Sequence, residues 1–104
     1  MKYISNMQEW TELMESSKEK LVVVDFTATW CPPCRMIGPI FEAMASEFPD
    51  ALFVKVDVDA ASDIAQQCGI RAMPTFQFYK NGAKVNEFSG ASEQKLREAV
   101  QSLS

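Results

Sequence analysis

Read for polarity alone, the chain alternates between two periods. From Asn6 onward, Met7, Trp10, Leu13 and Met14 recur at helical spacing on a polar background that runs out near Lys18. Asn6 followed by Glu9 has the spacing of a capping box, so an amphipathic first helix starts there. Leu21 to Thr29 (LVVVDFTAT) is instead almost continuously apolar and β-branched, which predicts a strand covered on both faces in the middle of a parallel sheet. Met36, Ile37, Ile40, Phe41, Met44, Ala45 and Phe48 return to the 3.6-residue period. They predict a long helix that stops at Pro49, kinked at Gly38-Pro39, with Met36, Phe41, Met44 and Phe48 as core. Ala51 to Val58 (ALFVKVDV) is a second apolar strand, and Asp59 is placed to cap a short helix through Ile64, Ala65 and Cys68 that Gly69 closes.

The last third changes style. Thr75 to Lys80 and Ala83 to Phe88 flank Asn81-Gly82, the strongest short hairpin signal, so two antiparallel strands meet there. Ser92 then caps a final helix whose Leu96, Ala99, Val100 and Leu103 form one apolar stripe. Alternating strands and helices imply right-handed crossovers, and the hairpin adds antiparallel pairs. The expectation is an α/β fold: one domain over residues 1–104, built as a three-layer α/β/α sandwich around a central mixed sheet.

Composition narrows the chemistry. Ten Lys and Arg against 14 Asp and Glu give a net charge of −4, with no basic stripe to neutralise phosphates. That argues against nucleic acid and against an anionic membrane surface. Histidine is absent, which removes Ser-His-Asp and Cys-His mechanisms and imidazole-based zinc sites. The first twenty residues are polar, without the apolar stretch of a secretory signal, and no apolar run approaches the roughly 20 residues that span a bilayer. Three cysteines are too few and too odd for a secreted disulfide scaffold. A cytoplasmic protein of a reducing compartment is expected.

The chemistry then rests on Thr29-Trp30-Cys31-Pro32-Pro33-Cys34-Arg35, between a buried strand and the start of a helix. A Cys-x-x-Cys in that position brings two sulfurs within disulfide reach. Cys31 precedes the helix, where unpaired amides and the positive end of the dipole favour thiolate, so it is the expected nucleophile. Cys34 lies inside the helix and nearer the core, placed to resolve a mixed disulfide formed at Cys31. Pro33 suits the first helical position, its ring should push Pro32 into an extended conformation, and neither proline offers an amide hydrogen. Such a pair is also half of a zinc or iron–sulfur site, but four ligands are needed and only Cys68 and carboxylates remain.

Asp25 is an acid inside an apolar strand. Either burial raises its pKa and makes it a proton donor and acceptor for Cys34 through water, or it bonds nearby backbone at a strand end. Lys55 carries the same ambiguity: it faces Asp25 and tunes its charge, or it snorkels from an outer strand to water. Cys68 is either a buried small hydrophobe or an accessible thiol open to modification or dimerisation, and it is not assigned to catalysis.

With these residues in place, the chain resembles the thioredoxin family, and within it the cytosolic eukaryotic kind. The resemblance covers essentially all 104 residues: VVVDFTATWCPPC, FVKVDVD, MPTFQFYKNG and EFSGAS follow in the family's order and spacing. It implies that Cys31 and Cys34 are the redox pair, that Asp25 is the family's buried aspartate, and that Lys55 is the lysine near it. It implies further that Trp30, Met73, Pro74, Gly90 and Ala91 form the flat surface that receives a substrate's extended backbone, with Met73-Pro74 cis. A thiol-disulfide oxidoreductase reducing protein disulfides is implied, with no bound cofactor, a reductase or equivalent dithiol donor as partner, and a monomeric state. One departure is plain, since thioredoxins usually carry Gly-Pro between the cysteines and this chain carries Pro-Pro. Such an insert resembles tryparedoxins, which leaves the redox potential and the upstream reductant open. Other readings are a disulfide oxidase or isomerase, and an interaction module of the same fold without turnover.

Overall fold

The computed structural model describes residues 1–104. Eight elements follow in order: α1 (Met7–Ser16), β1 (Val22–Thr27), α2 (Pro32–Glu47), β2 (Leu52–Asp57), α3 (Ser62–Gln67), β3 (Thr75–Lys80), β4 (Ala83–Ser89) and α4 (Glu93–Leu103). The starts of α1 and α4 are where the sequence signals them. The Asn6 side chain accepts from Glu9 N at 2.9 Å, and Glu9 reaches back to Ser5 N at 2.7 Å. Ser92 Oγ accepts from Lys95 N at 3.2 Å and opens α4.

The sheet runs β2-β1-β3-β4. β1 pairs with β2 in parallel and with β3 antiparallel, and β3 pairs antiparallel with β4 across the Asn81-Gly82 turn. Both turn residues have positive φ, 54° and 74°, as the Asn-Gly signal requires. The expected mixed sheet is therefore present, with the apolar β1 in its interior.

Alternation along β1 sorts the core into two layers. Val23 faces Ile37, Phe41 and Met44 of α2 and Leu96, Ala99 and Val100 of α4, with Phe53, Phe76 and Phe78 beside it. Val22, Val24 and Phe26 face the other way, against Trp10 and Leu13 of α1, Ile64 of α3 and Tyr79. Phe41 sits between Phe53 and Phe76, with ring centroids 5.2 and 5.8 Å away. The result is the expected three-layer sandwich. No helix is long and apolar enough to cross a membrane.

Several expectations are corrected. Met36 points to solvent, 71% exposed, because its place on α2 falls outside the stripe of Ile37, Phe41 and Met44. Asp59 does not cap α3, whose N-cap is Ala61 with no side-chain hydrogen bond. Pro32 is not extended but opens α2 together with Pro33, both in the first turn where a missing N–H costs nothing. The chain start adds a piece the periodicity was too short to signal: Ile4 N donates to Lys55 O and Lys55 N to Lys2 O, at 2.8 and 3.0 Å. This parallel bridge covers the outer edge of β2.

Candidate active site

The sequence VVVDFT ends β1 at Thr27, and the chain turns through Ala28 to Trp30 before α2 begins. Cys31 is the N-cap of α2, with an extended backbone, and its sulfur accepts from Cys34 N at 3.3 Å. Because Pro32 and Pro33 have no N–H, Cys34 supplies the first amide available to that sulfur. The Cα atoms of Cys31 and Cys34 are 5.2 Å apart and their sulfurs lie at disulfide distance. Burial does not separate the two thiols, at 4% and 3% exposed. Their surroundings do: Cys31 Sγ lies 3.6 Å from the Met73 carbonyl oxygen, whereas Cys34 lines a crevice under α2.

The Met73-Pro74 bond is cis, as the family resemblance implies. Its loop is tied to the end of β4: Gly90 N donates to Pro74 O at 2.9 Å, and the Thr75 hydroxyl bonds Ala72 O at 2.6 Å and Ser89 Oγ at 2.8 Å. Gly90 has φ of 104°, a conformation other residues rarely adopt, and Ala91 follows it exposed. Met73 is half-buried beside Cys31 and Cys34, and its N–H has no partner within the chain. Trp30 is 59% exposed, and its Nε1–H donates to Asp59 Oδ2 at 2.8 Å. The carboxylate read as a helix cap is thus the holder of the exposed indole. Sequence carried no signal for that pairing across 29 residues. Asp59 is itself placed by Asp57, whose Oδ1 accepts from the amides of Asp59 and Ala60.

Asp25 is fully buried on the α2/α4 side of the sheet, and neither of its oxygens has a hydrogen-bond partner. Burial pushes its carboxyl up from an ordinary 3.8 to about 7, against the nearby Lys55 charge, which lowers it, while Glu42 raises it. Lys55 is the Cα partner of Asp25 on β2. Its stem is buried and its ammonium donates to Glu42 Oε2 at 2.8 Å, so it both faces the aspartate and reaches outward. Glu42 carries no signal of its own in the sequence, since a glutamate on a helix in an acidic chain looks like a solvated face. Cys34, Gly38, Glu42 and Lys55 line a crevice of about 350 Å³. Cys68 belongs to the opposite layer, half-buried near the Tyr79 hydroxyl at 3.9 Å, and burial pushes its thiol up. It takes no part in the dithiol site.

Comparison with known proteins fits this arrangement. The family model for thioredoxin matches residues 2–102. Thioredoxin of Gallus gallus is 50% identical over 103 residues, covering 99% of this chain and 98% of that protein. Thioredoxin of Ophiophagus hannah is 49% identical over 100 residues, covering 96% and 95%. Among solved structures, Fasciola hepatica thioredoxin superposes with a TM-score of 0.94 at 46% identity, covering 97% of each chain. With the Cys31–Cys34 pair at disulfide distance, these relatives make the protein a thiol-disulfide oxidoreductase that reduces protein disulfides. They do not favour a tryparedoxin-like carrier, an oxidase or isomerase, or a module without turnover. The chain belongs to the thioredoxin family.

Proposed function

We propose that the chain is a thioredoxin of the cytosolic eukaryotic kind working through a Cys-Pro-Pro-Cys centre. The observation that carries the role assignment is the N-cap position of Cys31, whose sulfur accepts from Cys34 N and lies beside the Met73 carbonyl. A helix N-terminus favours negative charge there. The Cys31 thiolate attacks one sulfur of a substrate disulfide; the S–S bond breaks, a mixed disulfide forms, and one substrate thiolate leaves. Cys34 gives its proton through crevice water to the Asp25 carboxylate, then attacks Cys31 Sγ. The second substrate thiolate leaves, and the oxidised Cys31–Cys34 pair remains. The substrate has gained two electrons, which a reductase or equivalent dithiol donor returns to the protein. No bound cofactor enters these steps.

Trp30, Met73, Pro74, Gly90 and Ala91 receive the substrate as an extended segment. The unpaired Met73 N–H supports this, because an extended chain docks by main-chain hydrogen bonds. Lys55 tunes Asp25 electrostatically. The protein acts as a monomer in the cytoplasm, on protein partners rather than nucleic acid or membrane. Cys34→Ser should hold substrates as mixed disulfides at Cys31, recoverable from thiol-blocked lysate and released by dithiothreitol. Cys31→Ser should capture none and lose turnover, and a Cys31→Ser protein that still reduced disulfides would overturn the roles.

A further inference from the structure

Asp25 and Lys55 are lateral neighbours on parallel strands and both sit on the α2/α4 side of the sheet. A buried carboxyl and a buried ammonium so placed would be expected to pair, since each is costly to bury alone. They do not. Both Asp25 oxygens are without a partner, while Lys55 Nζ donates to Glu42 Oε2 at 2.8 Å. The Lys55 side chain is 8% exposed and that of Glu42 50%, so the ion pair draws the ammonium toward the solvent side of the crevice that Cys34 lines. Gly38 faces the same ammonium, and a Cβ there would lie 3.4 Å from Nζ, in ordinary contact.

We propose that Glu42 is a positioning residue for the thiol chemistry: its carboxylate anchors the Lys55 ammonium at the crevice mouth and so leaves the Asp25 carboxyl unpaired and free to exchange a proton with Cys34. This rests on the reading of Asp25 given above and adds the group that keeps it available. The charged groups around the crevice can be named. α2 contributes Cys34, Arg35 and Glu42, β2 contributes Lys55 and Asp57, and the chain start contributes Tyr3, whose ring lies 5.9 Å from Lys55 Nζ. The Met1 amine adds a weak pull on Glu42. β3 and α4 pack on this layer with Phe76, Phe78, Leu96, Ala99, Val100 and Leu103, and the α4 charge that meets α2, Arg97, is paired with Glu47 and Glu93. With the Glu42 charge removed, Asp25 is the buried anion that faces Lys55, and the flexible lysine stem can turn to it. An opposite charge within about 4–6 Å lowers a carboxyl pKa by roughly 1–3 units.

The test follows the Asp25 carboxyl carbon by NMR in the oxidised protein, where Cys31 and Cys34 do not titrate. Glu42→Gln should lower its titration midpoint by about one unit, and a fall of less than about half a unit overturns the proposal. Loss of the Glu42 field alone also has this sign, so the same change is made in Lys55→Met. If Glu42 acts through Lys55, the shift there should be under half of that in the Lys55 background; a shift of half or more overturns the proposal. The readout needs no turnover, so it stands apart from the role of Asp25 as base. That role fails if Asp25→Asn leaves the release of a preformed mixed disulfide unslowed at pH 7, whatever Glu42 does to the titration.

Discussion

Replacing Asp25 by Asn should make the protein more stable relative to wild type as the pH rises, by an amount the burial of the carboxyl sets. In the folded chain Asp25 holds its proton up to about 7, whereas an ordinary aspartate releases it near 3.8. Between those values the native state binds a proton that the unfolded state does not, so stability falls as pH rises. Each unit is worth about 1.4 kcal/mol, which places the full cost above the upper limit at about 4 kcal/mol. The Asn amide does not titrate, and its own burial cost is the same at every pH. Oxidised wild type and variant are unfolded in urea at pH 5, 6, 7 and 8. The variant's stability minus the wild type's should rise by about 2 kcal/mol from pH 5 to pH 7, with only a few tenths more by pH 8. Glu42, Glu47 and Glu87 lie below their ordinary values, so their contributions are lost only in more acidic solution and do not enter this window. A difference between the two proteins that did not change with pH would refute the reasoning, for it would mean that Asp25 titrates where an exposed carboxylate does.

The remaining predictions concern the scaffold and the redox poise. Phe41→Ala removes a fully buried ring held between Phe53 and Phe76 and should cost about 3–5 kcal/mol in urea unfolding. A cost below about 1.5 kcal/mol would show that this layer collapses to fill the space. Ser92→Ala deletes the side-chain bond to Lys95 N and should cost about 1 kcal/mol, visible as a lower Tm with unchanged reductase activity. Equilibration of the Cys31–Cys34 pair against a glutathione series, read by mass shift, should give a potential well below roughly −220 mV. A value near −180 mV would instead place the protein among oxidants and isomerases, with Pro32 as the residue to exchange for Gly.

Periodic signals carried the fold, because each is a repeated, local demand. The stripe Leu96, Ala99 and Val100 names the buried face of α4, the β-branched run names the interior strand, and Asn81-Gly82 supplies the two positive φ values of the hairpin. Where sequence and structure differ, one residue has two uses that sequence cannot separate. Asp59 has the spacing of a cap but is held by the Asp57 turn and bonds the Trp30 indole. Met36 is apolar at a helical interval, yet it is exposed beside the dithiol segment. The chain start joins β2 by so few residues that no period forms. The same holds for the site: the cysteine motif is local and legible, whereas the partners of Lys55 depend on how α2 lies over β2.

The two thiols of that motif are almost equally buried, so accessibility does not support the division of labour proposed for them. The proposed roles rest instead on what each sulfur faces. Cys31, as N-cap, has the Met73 carbonyl and the cis-proline loop beside it. Cys34, one turn into α2, opens instead on the crevice of Lys55 and Glu42, which none of Trp30, Cys31, Met73 or Pro74 lines. A substrate strand laid across Met73 would therefore cover Cys31 while leaving the proton route to Cys34 open. On the proposed mechanism, that separation lets a mixed disulfide form and then be resolved without the substrate having to move. The proposed role of Asp25 gives a buried carboxyl that costs stability at neutral pH its place beneath α2: an acid with a midpoint near 7 is half ready to take a proton when the second thiol must give one up.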